Sequence, residues 1–163
     1  MKVAIVMGSD SDETVMRGAS DALDEFGIEW EMLVCSAHRS PEAAIAFARG
    51  AADSGINVLI AGAGLAAHLP GVLAAATSLP VIGVPIAAKV LDGLDALLSI
   101  VQMPKGIPVA TVGVDNARNA GLLAVRILGA TDPVLRARIV EFQAALAAEV
   151  GQKNAALQKR LGR

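Results

Sequence analysis

The sequence predicts an α/β fold, a three-layer sandwich with a parallel sheet at its centre and a helical extension at the C-terminus. Two observations carry this. Short apolar runs alternate with longer amphipathic ones as far as Gly129. The short runs are continuously apolar rather than alternating, as strands covered on both faces are.

Taken in order, Val3 to Met7 reads as a strand that ends at Gly8. Asp12 to Phe26 reads as a helix, stopped by Gly27. Glu29 to Val34 is a second strand. Pro41 to Ser54 is a helix, with Ser40 expected as N-cap, Pro41 in the first turn and Gly55 after the end. Asn57 to Ala61 is a third strand, running into the small residues Gly62-Ala63-Gly64. Pro70 to Ala76 is helical and Val81 to Val84 is a fourth strand. Leu94 to Val101 is a short helix, Val109 to Val112 a fifth strand, and Asn116 to Leu128 a helix. Repeated strand–helix units with right-handed crossovers bring all strand C-termini to one edge, where such sheets bind ligands. A flavodoxin-like sheet is the expected arrangement.

Thr131-Asp132-Pro133 then starts a long helical pattern reaching about Leu161. Its apolar positions Leu135, Ile139, Phe142, Leu146 and Val150 are three and four apart. No strand follows, so this stripe covers either its own domain or a neighbouring subunit. From Gly151 the charges are Lys153, Lys159, Arg160 and Arg163, and the expected form is a solvated, fraying tail. Residues 1–163 are read as a single domain, of which 133–163 form the C-terminal helix and tail.

Bulk properties narrow the function. With 163 residues the chain can bury roughly two-thirds of its unfolded surface. Hydrophobic residues make up 54% but aromatics only 2%. The core must therefore come from Ala, Val, Leu and Ile, and further burial between subunits is expected. The net charge of −2 argues against a broad basic surface for nucleic acid. Cys35 is the only cysteine, so there is no internal disulfide and no four-cysteine zinc site. A reducing, cytoplasmic setting is expected. The apolar run at the N-terminus is too short for a secretory signal, and no stretch reaches the about 18 apolar residues of a transmembrane helix.

The chemistry-bearing residues cluster after strands. Gly8-Ser9-Asp10-Ser11-Asp12 follows the first strand, where a tight turn leads to a helix N-terminus that can receive phosphate. Ser9 and Ser11 can add hydroxyl donors, and Asp12 can accept from a ribose hydroxyl. The structural alternative is that Ser11 or Asp12 caps the helix. Cys35-Ser36-Ala37-His38-Arg39-Ser40 follows the second strand. Arg39 can clamp a phosphate and His38 can shuttle a proton near neutral pH. Cys35 reads as packing rather than nucleophile. Ala66-Ala67-His68-Leu69-Pro70-Gly71 follows the third strand and carries the only other histidine. Two histidines would need carboxylate help to hold a metal, and Asp12 is the only obvious source. Met103 and Pro104 read as packing and turn residues, Gln102 as a weak ligand candidate, and Asn116 and Asn119 as helix-capping and surface residues.

These segments, with Ser99-Ile100-Val101-Gln102-Met103-Pro104 and Asn116-Ala117-Arg118-Asn119-Ala120, resemble the bacterial PurE family across nearly the whole core. The class I branch is the better match, since class II carboxylases typically have lysine at the place of Arg39 and lack Ala-Ala-His-Leu-Pro-Gly. The resemblance implies N5-carboxyaminoimidazole ribonucleotide mutase, an isomerase of purine biosynthesis acting on a phosphorylated imidazole ribonucleotide. It also implies a homo-octamer with no cofactor and no metal. On it, His38 and His68 become catalytic candidates. Ser9, Asp12 and Arg39 become nucleotide-binding residues, joined on the loop argument by Gly8, Ser11 and Ser36. Two positions depart from the family pattern: Glu13 stands where many members have tryptophan, and Leu65 where many have a second glycine. Two other readings stay open on the residues alone. One is direct carboxylation of aminoimidazole ribonucleotide by carbon dioxide. The other is a non-catalytic nucleotide-binding module, although no lysine follows the fifth strand as a receiver-like site requires.

Overall fold

A computed structural model describes residues 1–162 and divides into two compact units, Met1–Val125 and Arg126 onward. The first unit holds the sheet: β1 (Lys2–Met7), β2 (Glu29–Val34), β3 (Ile56–Gly64), β4 (Val81–Ile86) and the two-residue β5 (Ala110–Thr111). All pairings are parallel and the order is β2-β1-β3-β4-β5. That is the flavodoxin-like order, whose switch point lies between β1 and β3.

Helices cover both faces. One side carries α2 (Pro41–Gly50), α3 (Leu69–Ala76) and α4 (Leu94–Val101). Ala44, Ala48, Leu73, Ala96 and Ile100 from these helices join Val6, Leu59 and Ala61 of the sheet in one core. The other side carries α1 (Glu13–Glu25) and the first part of α5 (Ala117–Gly129). These two approach through small residues: a Cβ on Gly121 would stand 2.6 Å from the Ala19 carbonyl oxygen. Arg118 then closes the pair by a two-pronged bond to Glu25, both contacts 2.8 Å. A core short of aromatics is thus compensated by close backbone approach.

Several boundaries differ from the sequence expectation, each for a physical reason. β3 runs on through Gly62, Ala63 and Gly64, because these residues keep pairing with Val84, Pro85 and Ile86. β4 passes through Pro85, whose carbonyl faces Asp115 N–H at 2.9 Å rather than β3. Since β5 reaches only Ile82 and Gly83, the missing proline N–H costs no ladder bond. β5 is shorter than Val109–Val112. Ser40 occupies the N-cap position of α2 but makes no side-chain cap bond. Its hydroxyl instead donates to the Ser36 carbonyl at 3.0 Å. Asp12 precedes α1 without capping it either.

The second unit contains the end of α5 and α6 (Pro133–Arg160). Asp132 caps α6 by accepting from Leu135 N–H at 2.9 Å. Arg136 reaches back to the carbonyls of Gly129 and Ala130 at 3.2 and 2.8 Å, satisfying the last turn of α5. The helix continues unbroken through Gly151 as far as Arg160, and residues beyond Gly151 are largely exposed. Of the apolar stripe only Leu135 is buried; Leu146 and Val150 are exposed. Arg163 of the basic tail lies outside the described residues. Among the described residues, no helix is long and apolar enough to cross a membrane.

Candidate active site

The parallel register aligns the strand ends: Met7 pairs with Val34 on one side and Gly62 on the other, and Gly64 pairs with Ile86. The loops leaving these ends surround a cleft of about 760 Å³, a size that suits a small-molecule ligand.

After β1, Gly8 and Ser9 enter a single helical turn, Asp10–Asp12. The Ser9 hydroxyl oxygen accepts from Ser11 N–H at 3.3 Å and lies 2.9 Å from the Ser11 hydroxyl. Ser11 is also 3.3 Å from an Asp12 carboxylate oxygen. Serine hydroxyls and a carboxylate are therefore gathered on one lip. Burial pushes the Asp12 carboxyl above its ordinary range, opposed by hydrogen bonds from the Ser11 side chain and the Ser9 backbone.

After β2, a turn from Ser36 to Ser40 is closed by Ser40 N–H donating to the Ser36 carbonyl at 2.9 Å. The Ser36 hydroxyl oxygen accepts from Arg39 N–H at 3.2 Å and from Arg39 Nε at 3.3 Å. Arg39 Nη2 donates to the Gly8 carbonyl at 2.6 Å. Arg39 thus ties the β1 and β2 loops together, and a guanidinium at this rim has the donor geometry to meet an anion.

After β3, Gly64 and Leu65 turn the chain toward α3. His68 immediately precedes α3, with its N–H on the Ala66 carbonyl at 2.8 Å. Its Nδ1 lies 2.7 Å from Nε2 of His38, and the rings meet edge to face at 86°. One of these facing nitrogens carries the hydrogen and the other accepts it. Thirty residues of chain separate the two histidines, and the sheet alone brings them together.

Gly8, Ser9, Ser11 and Asp12 from the first loop, Ser36, His38 and Arg39 from the second, and His68 from the third all line this one cleft. Gln102 is exposed and does not line it, and Met103 packs against Gly71. Cys35 is buried in the core, as its strand-end position predicts. Sequence reasoning missed the fourth wall, Ile86, Ala87, Ala88 and Lys89. The signal was present, since these residues also follow a strand at the binding edge, but Ile86, Ala87 and Ala88 carry no polar side chain to mark them as a site. Glu13, one of the two departures, is exposed and pairs with Arg17 one turn along α1.

A protein-family model described as AIR carboxylase matches residues 2–149. The N5-carboxyaminoimidazole ribonucleotide mutase of Mycobacterium tuberculosis strain H37Rv is 62% identical over 162 residues, 99% of this chain and 93% of that protein. The mutase of Pyrococcus horikoshii is 54% identical over 157 residues, 96% of this chain and 89% of that one. The crystal structure of Treponema denticola PurE matches with a TM-score of 0.86 at 26% identity, covering 96% of this chain and 98% of that one. The sheet order, the loops at its edge and a match spanning nearly the whole sequence lead to one conclusion: the chain belongs to the AIR carboxylase family.

Proposed function

We propose that this chain is an N5-carboxyaminoimidazole ribonucleotide mutase, moving a carboxylate from the exocyclic nitrogen to C4 of the imidazole to give 4-carboxy-5-aminoimidazole ribonucleotide. The observation that carries the reading is the His38–His68 pair, set in the cleft with Arg39 and the serine loop in a chain 62% identical to such a mutase.

In the first step His38, as imidazolium, gives a proton to the carbamate nitrogen. The nitrogen–carbon bond breaks, and carbon dioxide and the neutral aminoimidazole remain in the cleft. C4 then attacks the carbon dioxide, forming the new carbon–carbon bond. The now neutral His38 takes the C4 proton, so one proton enters, one leaves, and the histidine is restored. Holding the carbon dioxide beside C4 replaces a bimolecular capture by an effectively unimolecular one. His68 holds the His38 ring in place through the 2.7 Å contact. Arg39, with Ser9 and Ser11, receives the phosphate, and Asp12 accepts from a ribose hydroxyl. Gly8 and Ser36 hold Arg39 at this rim.

Every step is a proton transfer or the making or breaking of a bond to carbon dioxide, so the scheme uses no redox cofactor and no metal. Chelators should leave turnover unchanged, and inhibition reversed by a divalent ion would overturn that. The reading includes a cytoplasmic homo-oligomer, with eight subunits inferred from the family resemblance alone. It is supported by Leu146 and Val150, exposed members of the apolar stripe along α6, since an apolar stripe left open to water calls for cover. Light scattering on the full chain tests it, and an active monomer would refute assembly.

The reaction assignment is tested by offering the purified protein each substrate separately. Turnover of N5-carboxyaminoimidazole ribonucleotide far ahead of aminoimidazole ribonucleotide with bicarbonate supports the mutase. The reverse order supports direct carboxylation.

A further inference from the structure

Leu65 has a φ of 54°, a left-handed conformation that is strained for a residue with a bulky side chain and free for glycine. Its neighbours fix the turn there. Gly64 is paired with Ile86, so closely that a Cβ on it would stand 3.0 Å from the Ile86 carbonyl oxygen. Beyond Leu65, Ala67 is buried and His68 N–H closes on the Ala66 carbonyl. The chain must therefore reverse at residue 65, and glycine would do it at lower cost. Core packing does not repay the strain, because Leu65 is 54% exposed. The exposed side chain borders the cleft, three residues from His68 on the same turn. Ala63, Leu69, Ile86 and Ala87 supply further apolar lining. Strain kept at a cleft where it earns no burial points to a role for the side chain itself.

We infer that Leu65 is a retention residue: its side chain covers the apolar part of the cleft where released carbon dioxide waits beside C4, and so sets the balance between recapture and escape. This rests on the mutase reading above. Carbon dioxide is small and weakly hydrated, and an apolar cover slows both its exit and the entry of water. The nitrogen–carbon bond has already broken at this point and the carbon–carbon bond has not formed. Loss of carbon dioxide therefore leaves free aminoimidazole ribonucleotide as the side product.

Leu65→Ala removes the cover and keeps a Cβ at positive φ, whereas Leu65→Gly removes both cover and strain. Leu65→Met keeps the volume. With the full chain and N5-carboxyaminoimidazole ribonucleotide, the readout is free aminoimidazole ribonucleotide formed per product formed, together with label taken up from ¹³C-bicarbonate. Both ratios should rise about tenfold in the Ala and Gly variants and stay near wild type in Met. The thermal midpoint of the Gly variant should equal or exceed that of Ala. Unmoved ratios in both truncated variants overturn the inference, as does a rise confined to Gly, which would assign the effect to backbone conformation. A wild-type protein without mutase turnover overturns the reaction assignment and this inference with it. A normal wild type with unmoved variants overturns this inference alone.

Discussion

Replacing His68 with asparagine tests how labour is divided between the two histidines. The change leaves His38 in the cleft and removes the ring whose Nδ1 lies 2.7 Å from His38 Nε2. A hydrogen bond between neutral groups contributes about 0.5–1.5 kcal/mol net, and one to a charged group about 1.5–3 kcal/mol. At about 1.36 kcal/mol per tenfold, kcat should fall about 2- to 15-fold in the first case and up to about 150-fold in the second. KM should hardly move, because His68 acts through His38 and not on the phosphate. His38→Asn removes the proton carrier itself and should cost ~10²–10⁴-fold with folding intact. The double variant should be no slower than His38→Asn, since a positioning residue has nothing left to position. Steady-state kinetics on the three purified variants decide the matter. Losses that multiply in the double variant would mean that His68 handles a proton of its own. Near-normal turnover in His38→Asn would sink the scheme.

Further expectations follow from other parts of the molecule. Arg39→Ala should weaken binding of the phosphorylated substrate by roughly 1.5–3 kcal/mol, far more than that of the unphosphorylated nucleoside. Equal loss for both ligands by calorimetry would show that Arg39 ties the loops at Gly8 and Ser36 without holding phosphate. Gly121→Ala puts a methyl group 2.6 Å from the Ala19 carbonyl oxygen and 2.8 Å from Ala22 Cβ. Overpacking of that kind costs roughly 1–3 kcal/mol, and an unchanged melting temperature would refute the close α1–α5 approach. Asp12 has its folded pKa raised, first by burial. The folded state therefore holds the Asp12 proton more tightly than the unfolded chain, and stability present below the unfolded pKa is lost as pH rises through the folded one. Asp12→Asn should match wild type in acid and become the more stable protein toward neutral pH. A stability difference independent of pH would contradict this.

The sequence carried the architecture because its strands are uniform apolar runs separated by glycine and capping signals, so the β-α repeat is legible without long-range information. It also carried the cleft's polar residues, since a parallel sheet sends every strand end to one edge. What it did not carry was pairing. That His38 and His68 touch is set by β1 lying between β2 and β3, with register fixed at Met7, Val34 and Gly62. The true end of β3 was hidden because Gly62, Ala63 and Gly64 have small side chains typical of loops, and only their partners on β4 make them strand. Arg39 looked like a free clamp, whereas part of its guanidinium is committed to Gly8 and Ser36. Helix α6 passes through Gly151 because one glycine in a long helix costs only about 1 kcal/mol. Leu65 was legible as a departure from pattern, but its positive φ was not, since that follows from the fixed partners on either side of it.

The central claim is intramolecular transfer of carbon dioxide within one cleft. It is tested most directly by preparing N5-carboxyaminoimidazole ribonucleotide with ¹³C in the carbamate and letting the protein turn it over in unlabelled bicarbonate. Retention of most of the ¹³C in the C4 carboxylate of the product, read by NMR, is the predicted result. Product carrying unlabelled carboxylate, with the ¹³C found in the bicarbonate pool, would contradict it.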